Sequence, residues 1–247
     1  MSVISLSEHR QTDNVSAQQH AAAVLNLPVA PQVVARTRFS PPPPPRSQCM
    51  MVPEAIELLH TTVKEKNRSD FIVGLSGPGD PLATPDITLH TIRQIREHYL
   101  DIKIGLKTFG IGSEKLAGEL AGAGLDFIEM QVDGVKAKIL EKLYAWNRPG
   151  QKTINIVEGA ELLTREQRNG VPALKFNDLT VSICTTLYPG YNLDHVAKIS
   201  ADMMELGADS LSLIRCCTEP GIEVKLETPS SDIVSSIREA AERYLPV

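Results

Sequence analysis

The chain has 247 residues, 42% of them hydrophobic, enough to bury one substantial core, and a single domain is expected rather than two small ones. Its formal net charge is -5, and neither Lys nor Arg gathers into a run that could track a phosphate backbone, which argues against nucleic acid as a partner. No apolar stretch approaches the roughly 20 residues that span a bilayer, and residues 1–14 are polar rather than a signal peptide, so a soluble, cytoplasmic protein without a membrane partner is expected.

Residues 1–23 are polar and alanine-rich, with no apolar period, and are expected to form an N-terminal arm. Residues 24–29 are apolar enough for a first strand. Ala30-Pro31, an aperiodic stretch and five prolines from Pro41 to Pro45 follow, so 24–50 reads as strand, loop and stiff extended spacer. From Val52 onward the apolar period alternates between helix-like and strand-like, the pattern of successive βα units on a parallel sheet.

A helix is predicted over 52–66 with Ala55, Leu58, Leu59 and Val63 on one face, then a strand over 71–75. A helix over 86–100 capped by Thr84 or Asp86, a strand over 103–107 and a helix over 113–123 come next, the last with Ser113 as N-cap and Gly124 as its stop. A strand over 127–132 precedes two helical stretches, 135–146 and 157–168, split by Asn147-Arg148-Pro149-Gly150. Strands over 179–185 and 210–214, a helix from Asn192 or Asp194 to Leu206 and a helix over 230–243 complete the chain. Six strands with interleaved helices suit an α/β fold, a partial (β/α)6-type barrel open on one side, with 51–247 forming its remainder after the first strand. A doubly wound sheet is the alternative.

In parallel α/β folds ligands gather at the carboxyl ends of the strands, where loops and helix N-termini share one rim. The most distinctive loop there is Gly77-Pro78-Gly79-Asp80-Pro81: two glycines let a backbone approach a ligand, and Asp80 offers a carboxylate to an amine or a ribose. The same residue types are ordinary turn formers. Thr108-Phe109-Gly110 and Tyr188-Pro189-Gly190-Tyr191-Asn192 fall on the same rim, which makes Gly77, Pro78, Gly79, Asp80, Thr108 and Asn192 the candidate ligand-binding residues. His60, His90 and His98 fall on helices away from it, and Tyr144 and Trp146 at a helix end read as packing residues. Cys49, Cys184, Cys216 and Cys217 form no CxxC or CxxxCxxC and are expected to be ordinary buried thiols, not metal ligands.

Several motifs recur in a known order: Leu27-Pro28-Val29-Ala30-Pro31, then Gly77-Pro78-Gly79-Asp80-Pro81-Leu82-Ala83, Val132-Asp133, Lys142-Leu143-Tyr144-Ala145-Trp146 and Tyr188-Pro189-Gly190-Tyr191-Asn192. In this the chain resembles the NifB-type radical S-adenosylmethionine proteins of nitrogenase iron-molybdenum cofactor biosynthesis, over about residues 27–219. The resemblance implies a radical S-adenosylmethionine barrel in which a 4Fe-4S cluster on a CxxxCxxC loop cleaves S-adenosylmethionine, and further clusters are fused into the cofactor precursor. Counted on from Ala30-Pro31, the three cysteines of that loop fall at Val33, Thr37 and Ser40.

Other departures accompany this one. Gln11 stands for the cysteine of an N-terminal His-Pro-Cys, Asn26 for a histidine, Lys107-Thr108-Phe109-Gly110 lacks an asparagine, Ile128-Glu129-Met130 replaces a TIN-like element, and Leu245-Pro246-Val247 stands where a cysteine-bearing tail would follow. The implied protein is a degenerate relative without the 4Fe-4S cluster. Two readings follow: a non-catalytic binding or assembly partner among nitrogenase cofactor assembly proteins, or a protein binding S-adenosylmethionine or another small molecule with chemistry that needs no cluster. A third places a relocated cluster on Cys49, Cys216 and Cys217.

Overall fold

The computed structural model describes residues 23–43, 45–66, 71–216 and 226–247. Nearly all of the expected N-terminal arm, with Gln11, and also Cys217, lie outside the described residues. Along the chain come β1 (Val24–Pro28), β2 (Ala35–Thr37), α1 (Val52–Lys66), β3 (Ile72–Ser76), α2 (Pro85–His98), β4 (Lys103–Thr108), α3 (Ser113–Ala123) and β5 (Phe127–Gln131). Then follow α4 (Ala137–Leu143), β6 (Tyr144–Asn147), α5 (Ile156–Phe176), β7 (Thr180–Leu187), α6 (Val196–Glu205), β8 (Ser210–Arg215) and α7 (Ser231–Ala241).

Six strands form one parallel sheet in the order β1-β3-β4-β5-β7-β8. The spatial order follows the chain order without reversal, so the sheet winds in one direction, as a partial barrel does; a doubly wound sheet would reverse. The central strands are covered on both faces, which is why they read as continuous apolar runs: every residue of β5 is buried, as are Ile72 to Leu75 of β3. Gly105 of β4 is part of that packing, since a Cβ there would lie 2.3 Å from the ring of Phe127 on the neighbouring strand. Helix α2 shows how the outer layer attaches: Leu89, Ile92 and Ile95, each three residues on from the last, are buried in the main core, and Pro85 opens its first turn. No helix among the described residues is long and apolar enough to cross a membrane.

Four local expectations are corrected. The helix expected over 135–146 ends at Leu143, and residues 144–147 become β6, paired antiparallel with β2 from the aperiodic stretch after the first strand (Ala35 with Asn147, Arg36 with Trp146). The helix expected to stop at residue 168 runs on to Phe176 with Pro172 inside it. Gly112, at φ +85°, caps α3, and Ser113 is its first helical residue, donating from Oγ to the Gly110 carbonyl at 2.7 Å. Thr84 is the N-cap of α2 by position, but its hydroxyl makes no capping bond. The β2–β6 ribbon closes a second, smaller core over the rim, with Val34, Phe39, Leu140, Leu143, Tyr144 and Tyr188 buried in it.

Candidate functional site

A cavity of about 370 Å³ opens at the carboxyl ends of β3, β4, β5 and β7. Gly77, Pro78, Gly79, Asp80 and Thr108 all line it, as do Val33, Thr37 and Ser40. The rim rule therefore gathers five of the six candidate residues, together with the three positions singled out on the loop after β1. A shallower depression of about 460 Å³ between Leu193, Asp194 and α7 lies apart from these residues.

The glycine loop is shaped by chain packing. A Cβ on Gly77 would lie 2.3 Å from the Ala30 carbonyl oxygen, and one on Gly79 would lie 2.2 Å from that of Gln32. Backbone bonds lock the contact: Ala30 donates to the Ser76 carbonyl at 3.0 Å, Gly79 to that of Ala30 at 2.9 Å, and Asp80 to that of Gln32 at 2.9 Å. Asp80, expected to present its carboxylate to a ligand, spends it inside the protein. It accepts from Leu82 N at 2.9 Å, from Phe109 N at 2.8 Å, and at both oxygens from Thr108 Oγ1. Burial pushes its carboxyl above the ordinary range, against the lowering effect of those donors. Asn192 sits behind the wall: its Oδ1 accepts from Tyr188 N at 2.7 Å, and its Nδ2 donates to the Asp133 and Thr186 carbonyls.

The loop that follows β1 is closed on itself. Thr37 Oγ1 and Ser40 Oγ share a hydrogen bond of 2.6 Å, Tyr188 is hydrogen-bonded to Thr37 and Thr186, and the Phe39 ring packs 5.3 Å from Tyr188 and 4.9 Å from Tyr191. Val34 O accepts from Arg148 N, and Arg38 N donates to Leu143 O, tying the loop to β6 and α4.

Four further residues stand on the cavity wall: Lys107 and Asp133, which the sequence offered only as parts of motifs, and Arg36 and Gln131, which it did not single out. Asp133 accepts from Gln131 Nε2 at 2.7 Å, from Thr186 N at 3.0 Å and from the Tyr144 hydroxyl at 3.1 Å, and burial pushes its carboxyl up. Tyr144 is thus a buried partner of the site rather than a helix-end packing residue. Lys107 Nζ lies 3.0 Å from Glu129 Oε1 and 3.5 Å from Cys184 Sγ. Burial opposes the ammonium charge, but the neighbouring Cys184 and Glu129 overcome it and hold the pKa above its ordinary value. Burial raises the Cys184 thiol to about 11, which leaves Glu129 as the counter-ion near neutrality. Position at the end of β5 was the signal that could have found Asp133; nothing in the stretch around Arg36 marks it.

A 4Fe-4S cluster needs thiolate donors, and the side chains at 33, 37 and 40 offer an isopropyl group and two hydroxyls. Among the described residues, no three His, Cys, Asp or Glu side chains converge as a metal-binding group. Cys184 is fully buried in β7, and Cys216 is buried in the small rim core, 3.8 Å from the Glu227 carbonyl oxygen. The donor set at the rim does not fit a thiolate-held cluster.

No family model matches the chain. Among solved structures, Streptococcus suis SuiB, also solved bound to S-adenosylmethionine, superposes with a TM-score of 0.61 at 14% identity, covering 90% of this chain and 46% of that one. TsrM, a radical S-adenosylmethionine methyltransferase of Kitasatospora setae, gives 0.53 at 11%, covering 78% and 36%. The chain has the radical S-adenosylmethionine fold. Within it the sequence is NifB-like: the FeMo cofactor biosynthesis protein NifB of Chlorobaculum tepidum is 30% identical over 177 residues, 71% of this chain and 42% of that protein. NifB of Methanocaldococcus infernus is 26% identical over 234 residues, 90% and 76% respectively. This chain thus spans less than half the length of the first of these relatives.

Proposed function

We propose that this chain is a NifB-like barrel that does not generate radicals and acts as a binding or assembly partner in nitrogenase cofactor biosynthesis, in the cytoplasm. The observation that carries the reading is the loop after β1: Val33, Thr37 and Ser40 stand where the resemblance places the three thiolates, and the loop holds its place through backbone bonds to the glycine loop, the β2–β6 ribbon and the Phe39 aromatic contacts. A loop supported in this way has no structural need of a cluster. The link to cofactor biosynthesis rests on the name borne by the relatives.

Anaerobic reconstitution with iron and sulfide tests this directly. Iron near zero per chain and no cluster absorption are expected, whereas about four irons per chain with a cluster spectrum would overturn it. A second reading, binding of S-adenosylmethionine or a related small molecule without a cluster, is favoured by the size of the cavity, which falls within the roughly 300–1,000 Å³ common for small-molecule sites. Calorimetric titration with S-adenosylmethionine and its cleavage products decides it: absence of heat for all of them removes these ligands.

A further inference from the structure

We infer that the rim cavity is a site for a small molecule bearing an oxyanion, a carboxylate or a phosphate, anchored by the guanidinium of Arg36. The inference rests on the cavity being a binding site and specifies what it binds.

The argument is an accounting of donors and acceptors on the wall. The acceptors that would attract a cation are already used: Asp80 takes two backbone N–H groups and the Thr108 hydroxyl, and Asp133 takes Gln131, Tyr144 and the Thr186 N–H. Donors are left over. Arg36 gives one hydrogen bond, from Nη2 to the Ser40 carbonyl at 3.2 Å, while its Nε is buried with no hydrogen-bond partner. A buried donor without an acceptor is costly and uncommon in folded proteins, and Arg36 is one of the residues that line the cavity.

Charge and shape point the same way. Lys107, also on this wall, is paired with Glu129. Guanidinium presents a planar fork that meets both oxygens of a carboxylate or phosphate, so the chemistry favoured beside Arg36 is an oxyanion over a neutral acceptor. The backbone of Arg36 is also held in advance: the residue lies in β2, in register with Trp146 of β6, so the chain need not be ordered on binding. Val33 and the prolines Pro41 to Pro43 give the cavity an apolar side, which suits a ligand with an apolar body and one anionic end.

The test uses the full chain, with inorganic phosphate and acetate as separate probes and chloride at equal ionic strength as the reference, read by calorimetry and thermal melting. Saturable stabilisation by phosphate, acetate or both is expected, the responding probe identifying the anion class. Arg36→Gln is expected to weaken that binding about tenfold or more, the scale of a lost charged hydrogen-bond pair. Arg36→Lys, which keeps the charge but not the fork, should fall between the two, and it decides the matter alone if Arg36→Gln does not fold. Binding no better than chloride overturns the inference, as does an affinity unchanged in the variants. Iron uptake on reconstitution, with Arg36-dependent binding intact, would overturn the proposed function and leave the anchor standing.

Discussion

Two loops meet at the rim, and they behave differently. The loop from Ser76 to Ala83 keeps the glycines, proline and aspartate that made it conspicuous in the sequence, while the loop from Ala30 to Ser40 follows a path beside it with none of the thiolates that the resemblance leads one to expect. Their contact is backbone on backbone, through three N–H···O=C bonds at Ala30, Gly79 and Asp80, with both glycines giving up a side chain to let it happen. Such a contact is indifferent to the side chains at 33, 37 and 40. The seat of the loop and the chemistry it carries are therefore separable, and the second can be replaced while the first stays.

The hardest test of that separation is a methyl group at the seat. Gly79→Ala places a Cβ 2.2 Å from the Gln32 carbonyl oxygen, where only backbone can yield, and a loss of about 3 kcal/mol in urea unfolding is expected. Ser40→Ala removes only the bond to Thr37, with an expected cost of about 1 kcal/mol. Equal losses in the two variants would mean that the loop depends on its side chains after all. Asp80→Asn lies between them: the amide cannot accept from both the Leu82 and Phe109 N–H groups and from Thr108 together, and a loss of about 2 kcal/mol is expected in the same measurement.

The same contrast separates what was legible in the sequence from what was not. The β strands of the main sheet and α1 announce themselves because each buries a continuous or periodic apolar face, and α1 lies where the periodicity put it, from Val52 to Lys66. Ala35-Arg36-Thr37 and Tyr144-Ala145-Trp146-Asn147 have no such pattern. Each is a strand only because the other is beside it, 107 or more positions away along the chain, and no local window contains both. The glycine loop was found, but for a different physical reason: its glycines admit the neighbouring chain rather than a ligand. Arg36 and Lys107 were not among the candidate site residues because a lone basic residue near a strand end reads as solvated until the partners around it, Ser40 and Glu129, are known.

Buried carboxylates offer a smaller and oppositely signed effect. Burial raises the Asp133 pKa above its ordinary value of 3.8, so between the unfolded and folded values the native state binds more protons than the unfolded one. Stability linked to this group is then full at low pH and declines as pH rises through the folded value, the reverse of a salt-bridged aspartate. Asp133→Asn should flatten that decline. Its Oδ1 can still accept from Gln131 and Thr186, and its Nδ2 can donate to a Tyr144 hydroxyl turned to accept. Urea midpoints at about pH 4.5 and pH 7 check the sign: the wild-type minus variant difference should become less favourable to the wild type at the higher pH. A change in the other direction would mean that the hydrogen bonds to Asp133, and not its burial, dominate.

The smallest effect reverses the first. Gly122 lies near the end of α3, exposed, and a Cβ there meets nothing within 4 Å, so Gly122→Ala gains helix propensity without a clash. A gain of about 0.5–1 kcal/mol, or about 1–3 °C in melting temperature, is expected. One substitution, Gly to Ala, thus carries opposite signs at two sites, because at Gly79 another stretch of backbone occupies the space and at Gly122 solvent does. If both variants were destabilised alike, the rim contact would not be what demands glycine at position 79, and the packing account of that loop would give way to one in which its glycines serve a ligand.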